Sequence, residues 1–139
     1  MQLLIQAGDL GPKWFHLAIR AIVLLSEADS LVKSGQIAEQ LGGDPSVLRK
    51  ILSKLANAGL VSTNAGRYGG YSLKRSPAEI TIKDIYTAFQ NDEPVPYWSV
   101  PSTGTELYIS QIITKAEHQF QQTLADFTVA DLLTFKQNE

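Results

Sequence analysis

The chain has 139 residues and a mass of 15.3 kDa, enough for one ordinary domain or a small domain with a long appended helix. Its 44% hydrophobic and 19% charged residues exclude wholesale disorder. There is no cysteine, which excludes disulfides, thiol catalysis and cysteine-bound metal or iron–sulfur centres. No apolar run approaches the ~18 residues of a membrane span. Met1 to Leu10 lacks the pattern of a secretory signal. A cytoplasmic protein without membrane contact is expected.

The net charge of −2 is a sum of unlike parts. Residues 1–44 hold three basic and five acidic side chains, and residues 45–83 hold seven basic and one acidic. Residues 84–139 hold two basic and eight acidic. A basic middle therefore lies between acidic flanks, and a polyanion responds to that local field rather than to the total. Charge alone is equally compatible with an ordinary solvated face.

In chain order, Pro12 to Ser26 carries Trp14, Leu17, Ala18, Ala21, Leu24 and Leu25 as one helical stripe. Leu31-Val32 reads as a very short strand. Ser34 is expected to cap a second, short helix ending at Leu41, with Ile37, Ala38 and Leu41 inward and Gly42-Gly43 as its stop. Asp44-Pro45 pairs a capping carboxylate with proline at the first helical position. The third helix, 45–58, turns Leu48, Ile51, Leu52 and Leu55 inward. Residues 60–63 and 71–73 read as strands around a tip with three glycines in seven residues. Thr81 and Asp84 form a capping box for a fourth helix reaching about Gln90. The proline-containing stretch 91–104 reads as loop. The longest helical pattern runs from about Glu106 to Phe127, and Thr128 with Asp131 opens a short tail helix.

Two short helices joined by a glycine turn, then a hairpin, is the order of a winged helix-turn-helix. The fold expected is thus mainly α with a small β-wing, followed by a long C-terminal dimerisation helix. Its parts are a DNA-binding domain at 1–90, a loop at 91–105, and the long helix with its tail at 106–139. A DNA major groove admits one helix and is read from that helix's N-terminal half. The candidate contacts to double-stranded DNA in the third helix are Ser46, Val47, Arg49, Lys50 and Lys54. At the wing tip they are Arg67 and Tyr68, suited to a minor groove or to backbone. Lys74 and Arg75 at the wing base are placed for phosphates. The competing reading of the basic helix residues is an ordinary polar face.

The stretch GQIAEQLGGDPSVLRKILSKLANAGLV (35–61) resembles the Rrf-type bacterial regulators that include IscR, NsrR and CymR, as do GGYSL (69–73) and EITIKDI (79–85). The resemblance covers residues 13–90 well and the long helix by position and character. It implies a dimeric winged-helix transcription factor whose recognition helix is 45–58 and whose long helix crosses that of its partner. Cluster-binding members carry three cysteines in the loop matching about 91–105, where this chain has Pro94, Pro96, Ser99, Pro101, Ser102 and Thr103. The resemblance is therefore to the clusterless, CymR-like or YwnA-like branch, with no cofactor. Many relatives have arginine where this chain aligns Ala65, and Arg67 is expected to replace it.

The expected homodimer seam is Ile109, Ile113, Ala116, Phe120, Leu124 and Phe127, spaced close to a 3.5-residue repeat. Leu107 and Ile112, on the other side, are available to pack on the domain body. Enzyme chemistry has little support. The two histidines, His16 and His118, have no converging ligand set, and 66–70 lacks the ending of a phosphate-cradling loop. The function expected is a homodimeric repressor at an inverted-repeat operator. Its rivals are a winged helix serving protein or RNA contact, and a small-molecule-sensing module whose pocket is walled by Pro94-Val-Pro-Tyr-Trp98. A small-molecule or protein effector would be a further partner.

Overall fold

The computed structural model describes residues 13–90 and 103–137. Its helices are α1 (Trp14–Glu27), α2 (Ser34–Leu41), α3 (Pro45–Asn57), α4 (Ile82–Thr87), α5 (Gly104–Ala125) and α6 (Val129–Gln137), with strands β1 (Val61–Asn64) and β2 (Gly70–Leu73) between α3 and α4. A 3-10 turn at Pro77–Glu79, unforeseen in the sequence, joins β2 to α4. The expected loop pocket at Pro94 to Trp98 lies outside the described residues, as does Pro12.

The N-terminal helices form one core. Trp14, Ala18, Ala21, Ile22 and Leu25 of α1 meet Ile37 and Ala38 of α2 and Leu48, Ile51, Leu52 and Leu55 of α3, all buried. The stripe on α1 turns slightly from expectation. Ile22 is fully buried, whereas Leu17 and Leu24 pack at the margin. Gly42 closes α2 in the left-handed conformation, φ 70, which glycine adopts without steric cost.

Ser34 is the first residue of α2 and not its cap. The preceding residue, Lys33, has extended backbone, and its N–H donates to Oε1 of Gln36 at 3.0 Å. Gln36 thus makes the reach-back half of a capping box, and the N–H groups of Gln36 and Ile37 go to the carbonyl of Lys33 at 3.0 and 3.1 Å, so the helix starts one residue earlier than a serine cap would set it.

β1 and β2 pair antiparallel from Val61↔Leu73 to Asn64↔Gly70. The expected strand at Leu31-Val32 is a single rung, Val32↔Tyr71, with Val32 N donating to Tyr71 O at 3.0 Å and Tyr71 N to Val32 O at 2.8 Å. Close approach requires glycine on this hairpin. A Cβ on Gly70 would stand 2.9 Å from the carbonyl oxygen of Val32, and one on Gly69 only 1.9 Å from that of Asn64.

Both later capping boxes form. Thr81 and Asp84 exchange bonds at 3.0 Å each, and Thr128 and Asp131 at 2.8 and 3.2 Å. The turn between α5 and α6 is pinned to the front of α4, because Ile82 N donates to Phe127 O and Val129 N to Ile80 O, both at 2.9 Å. Val129 is fully buried and Leu132 packs beside it. Residues on both sides of 91–102 therefore share one core.

Candidate nucleic-acid interface

Burying Leu48, Ile51, Leu52 and Leu55 rotates the rest of α3 outward, since residues three and four apart share a helix face. Ser46, Arg49, Lys50, Ser53 and Asn57 are exposed in consequence, and Lys54 is half-buried at the edge of that face. Val47 is half-buried and packs partly on the core. No acidic side chain stands on α3, and Lys54 occupies its last turn.

The N-terminus of α3 is built by Asp44, whose Oδ1 accepts from the backbone N–H of Ser46 at 2.8 Å and from its hydroxyl at 2.9 Å. These bonds hold the Asp44 carboxyl below the ordinary carboxylate range, the backbone bond contributing most and the charge of Arg49 least. With the folded pKa lowered, the cap's stabilisation is complete above about pH 3.9, the ordinary aspartate value. It is lost as pH falls through the lowered value. Asp44→Ala is expected to melt at lower temperature than the unaltered protein at pH 7, with the gap narrowing as the solution is acidified. Thermal melts by circular dichroism at both ends of that range check it, and identical melts at pH 7 would show that the cap contributes nothing.

At the wing, Arg67 and Tyr68 stand together at the tip, with Tyr68 84% exposed and the Arg67 guanidinium 5.6 Å from its ring centroid. Lys74 is exposed at the base. Arg75 is turned inward along the body, with its Nη2 donating to the carbonyl of Glu79 at 2.6 Å and lying 3.7 Å from Oδ2 of Asp84. A contact that the sequence reading missed is Lys33, whose ammonium donates to the carbonyl of Arg67 at 2.7 Å. Only a tertiary pairing across 34 positions discloses it.

The expected dimer seam divides on α5. Its C-terminal half belongs to the chain's own body. Phe120 meets Tyr86 edge-on with ring centroids 5.2 Å apart, and Phe120 and Leu124 both pack on the core. Tyr86 also stacks on Trp14, and burial first, then the nearby Glu117 carboxylate, pushes its phenol pKa up. The N-terminal half carries Leu107, Tyr108, Ile109, Ile112 and Ile113, all exposed, and Ala116 is exposed as well. Leu107 and Ile112 do not pack on the body as expected, because among the described residues the body meets the helix near its far end. Phe127, just past the helix, is 49% exposed.

Among the described residues no cluster of three or more His, Asp or Glu is arranged to hold a metal, and His16 and His118 are exposed on separate helices. An open groove of about 560 Å³ between α1, α2 and α6 is lined mainly by Ile19, Val23, Leu24, Leu41, Leu132 and Phe135. No helix among the described residues is long and apolar enough to cross a membrane.

Comparison with known proteins agrees with this fold. The family described as Rrf2, iron-dependent transcriptional regulator, matches residues 13–134. An HTH-type transcriptional regulator of Synechocystis, slr0846, is 32% identical over 98 residues, covering 69% of this chain and 67% of the relative. The crystal structure of a transcriptional regulator from Lactobacillus plantarum superposes with a TM-score of 0.72 at 27% identity, over 88% of each chain. The structure of T. potens IscR shares the fold, with a TM-score of 0.69 at 24% identity over 88% of this chain and 85% of that one.

Proposed function

Because the chain belongs to the Rrf2 family of transcriptional regulators and is not an enzyme, we propose that it is a homodimeric, sequence-specific DNA-binding repressor. The observation that carries this reading is the acid-free, exposed polar face of α3 with a basic, aromatic-tipped wing beside it. Ser46, Arg49 and Lys50 stand at the N-terminal half of α3, the part of a recognition helix that reaches base edges. Lys54 and Lys74 supply phosphate contacts that set register. Arg67 and Tyr68 extend the contact to a neighbouring groove. Arg75, tied to Glu79 and Asp84, braces the wing base and contributes charge there.

The dimer follows from the exposed apolar half of α5. An isolated helix of a dozen residues is marginal in water, and soluble monomers rarely present such a patch. A second copy crossing at Ile109 and Ile113 would cover it and place two recognition helices for two half-sites. Repression is the assigned direction because a dimer that occludes a promoter needs no further apparatus.

A salt titration against duplex DNA tests the reading. Binding of selected fragments with a steep negative dependence of affinity on salt is expected. Weak binding without preference for duplex over RNA or acidic protein would overturn it. Selection of bound fragments from genomic DNA then yields the operator, expected as an inverted repeat.

The family description names iron, yet the residues here do not fit an iron–sulfur cluster. Thiolates normally hold such clusters, the chain has no cysteine, and no alternative ligand cluster exists among the described residues. The purified protein is expected to be colourless, with DNA affinity indifferent to iron chelators and thiol oxidants. A visible absorption band that is lost on chelation would contradict this.

A further inference from the structure

We propose that Lys33 is the positioning residue of the wing: through the carbonyl of Arg67 it fixes the attitude in which the Arg67 side chain meets DNA. The proposal rests on the DNA-binding reading above, and it adds a residue outside both the recognition helix and the hairpin.

The hairpin is secured at its base and weakly built beyond it. Its last rung is Asn64↔Gly70, and its link to the helical body is the Val32↔Tyr71 rung one position below. Past that, the tip closes on itself with one backbone bond, Gly69 N to Gly66 O at 3.0 Å, and Gly66 holds a positive φ of 100. Arg67 is four residues from Tyr71, so at ~3.4 Å per residue it lies up to ~14 Å beyond the secured rung. A two-stranded hairpin is marginally stable by itself. Left to these contacts, the tip would sample many directions and any contact made by Arg67 would cost ordering entropy.

Lys33 removes that freedom. Its ammonium donates to Arg67 O at 2.7 Å, a short, charge-assisted bond. Its backbone is itself held, directly after the Val32 rung and with its N–H given to Gln36 at 3.0 Å. Gln36 belongs to α2, and α2 packs on α3 through the shared core. One lysine thus ties the wing tip to the frame that carries the recognition helix. The bond uses the backbone of Arg67 and leaves its guanidinium beside the Tyr68 ring, available outward. The carbonyl also takes only one of the three ammonium donors.

The test has an arm without DNA and an arm with it. By 15N relaxation on the free protein, Lys33→Met is expected to lower backbone order parameters at residues 66–69 from the rigid range near 0.85 toward 0.6 or below. Lys33→Arg, which can also donate to the carbonyl, should restore them. Thermal melting should be the same for all three proteins, because Lys33 is exposed. In duplex titrations, Lys33→Met and Arg67→Ala should each weaken binding about tenfold, and the double variant little more than either. Unchanged order parameters in Lys33→Met would overturn the proposal. So would a loosened tip with undiminished affinity, or losses that multiply in the double variant, which would mean that Lys33 acts by its own charge. Should the unaltered protein bind no duplex, the functional reading fails, while the relaxation arm still decides whether Lys33 fixes the tip.

Discussion

Ile113→Glu is expected to turn a dimer into a monomer and to lower operator affinity by roughly 10²–10⁴-fold. Ile113 stands 37% exposed on α5, and Ile109, one turn before it, 50%. Neither belongs to the chain's own core, so a carboxylate at 113 is expected to leave the monomer fold intact and to face the second copy of the proposed dimer. Burying it there unpaired is strongly unfavourable. The loss of affinity follows because a dimer joins two half-site contacts, and the second is made at high effective concentration. Light scattering at micromolar concentration reads the mass, and circular dichroism checks that melting is unchanged. Phe120→Glu, which the seam spacing alone would select, is the wrong probe. Phe120 is packed edge-on against Tyr86, so its replacement damages the body itself. A monomeric unaltered protein would abolish the seam and the two-half-site operator together.

Arg49→Ala is expected to cost about 1–3 kcal/mol per half-site, roughly 5- to 150-fold, and to relax preference at one base pair. The size is that of bidentate pairing of a guanidinium with the O6 and N7 of guanine, the contact proposed for Arg49, which no alanine replaces. Arg49 is exposed one turn into α3, behind the Asp44 cap that fixes the helix start. Lys54→Ala should behave differently, weakening all sequences about equally and lowering the salt slope by about one. Binding profiles over a randomised operator separate the two outcomes. Equal affinity and selectivity for Arg49→Ala and the unaltered protein would remove Arg49 from base reading.

The helix-turn-helix and its wing were legible in the sequence because their signals are local. Asp44-Pro45 marks a helix start by cap chemistry and a fixed φ. Leu48, Ile51, Leu52 and Leu55 bury one face at helical spacing, and that leaves Arg49 and Lys50 outside. The capping boxes at Thr81 and Thr128 are likewise a matter of residues three apart. Ser34 misled because the helix begins one residue earlier, with the N–H groups of Gln36 and Ile37 on the carbonyl of Lys33 and the Lys33 N–H on the Gln36 side chain.

What the tertiary structure decided are the pairings between distant residues. Spacing placed Ile109, Ile113, Ala116, Phe120, Leu124 and Phe127 on one stripe, but it cannot say where along the stripe the body ends. That depends on Tyr86 of α4, itself stacked on Trp14 of α1, receiving Phe120. The sequence places Arg75 at the wing base as a candidate phosphate contact, and the fold sets the Glu79 carbonyl and the Asp84 carboxylate beside it. Lys33 carries no local signal at all. Periodicity and capping report which side of an element faces inward, since they arise from the geometry of one helix or strand. Which partner a side chain meets is set by how those elements pack, and a lysine arm reaching across 34 positions exists only once they have.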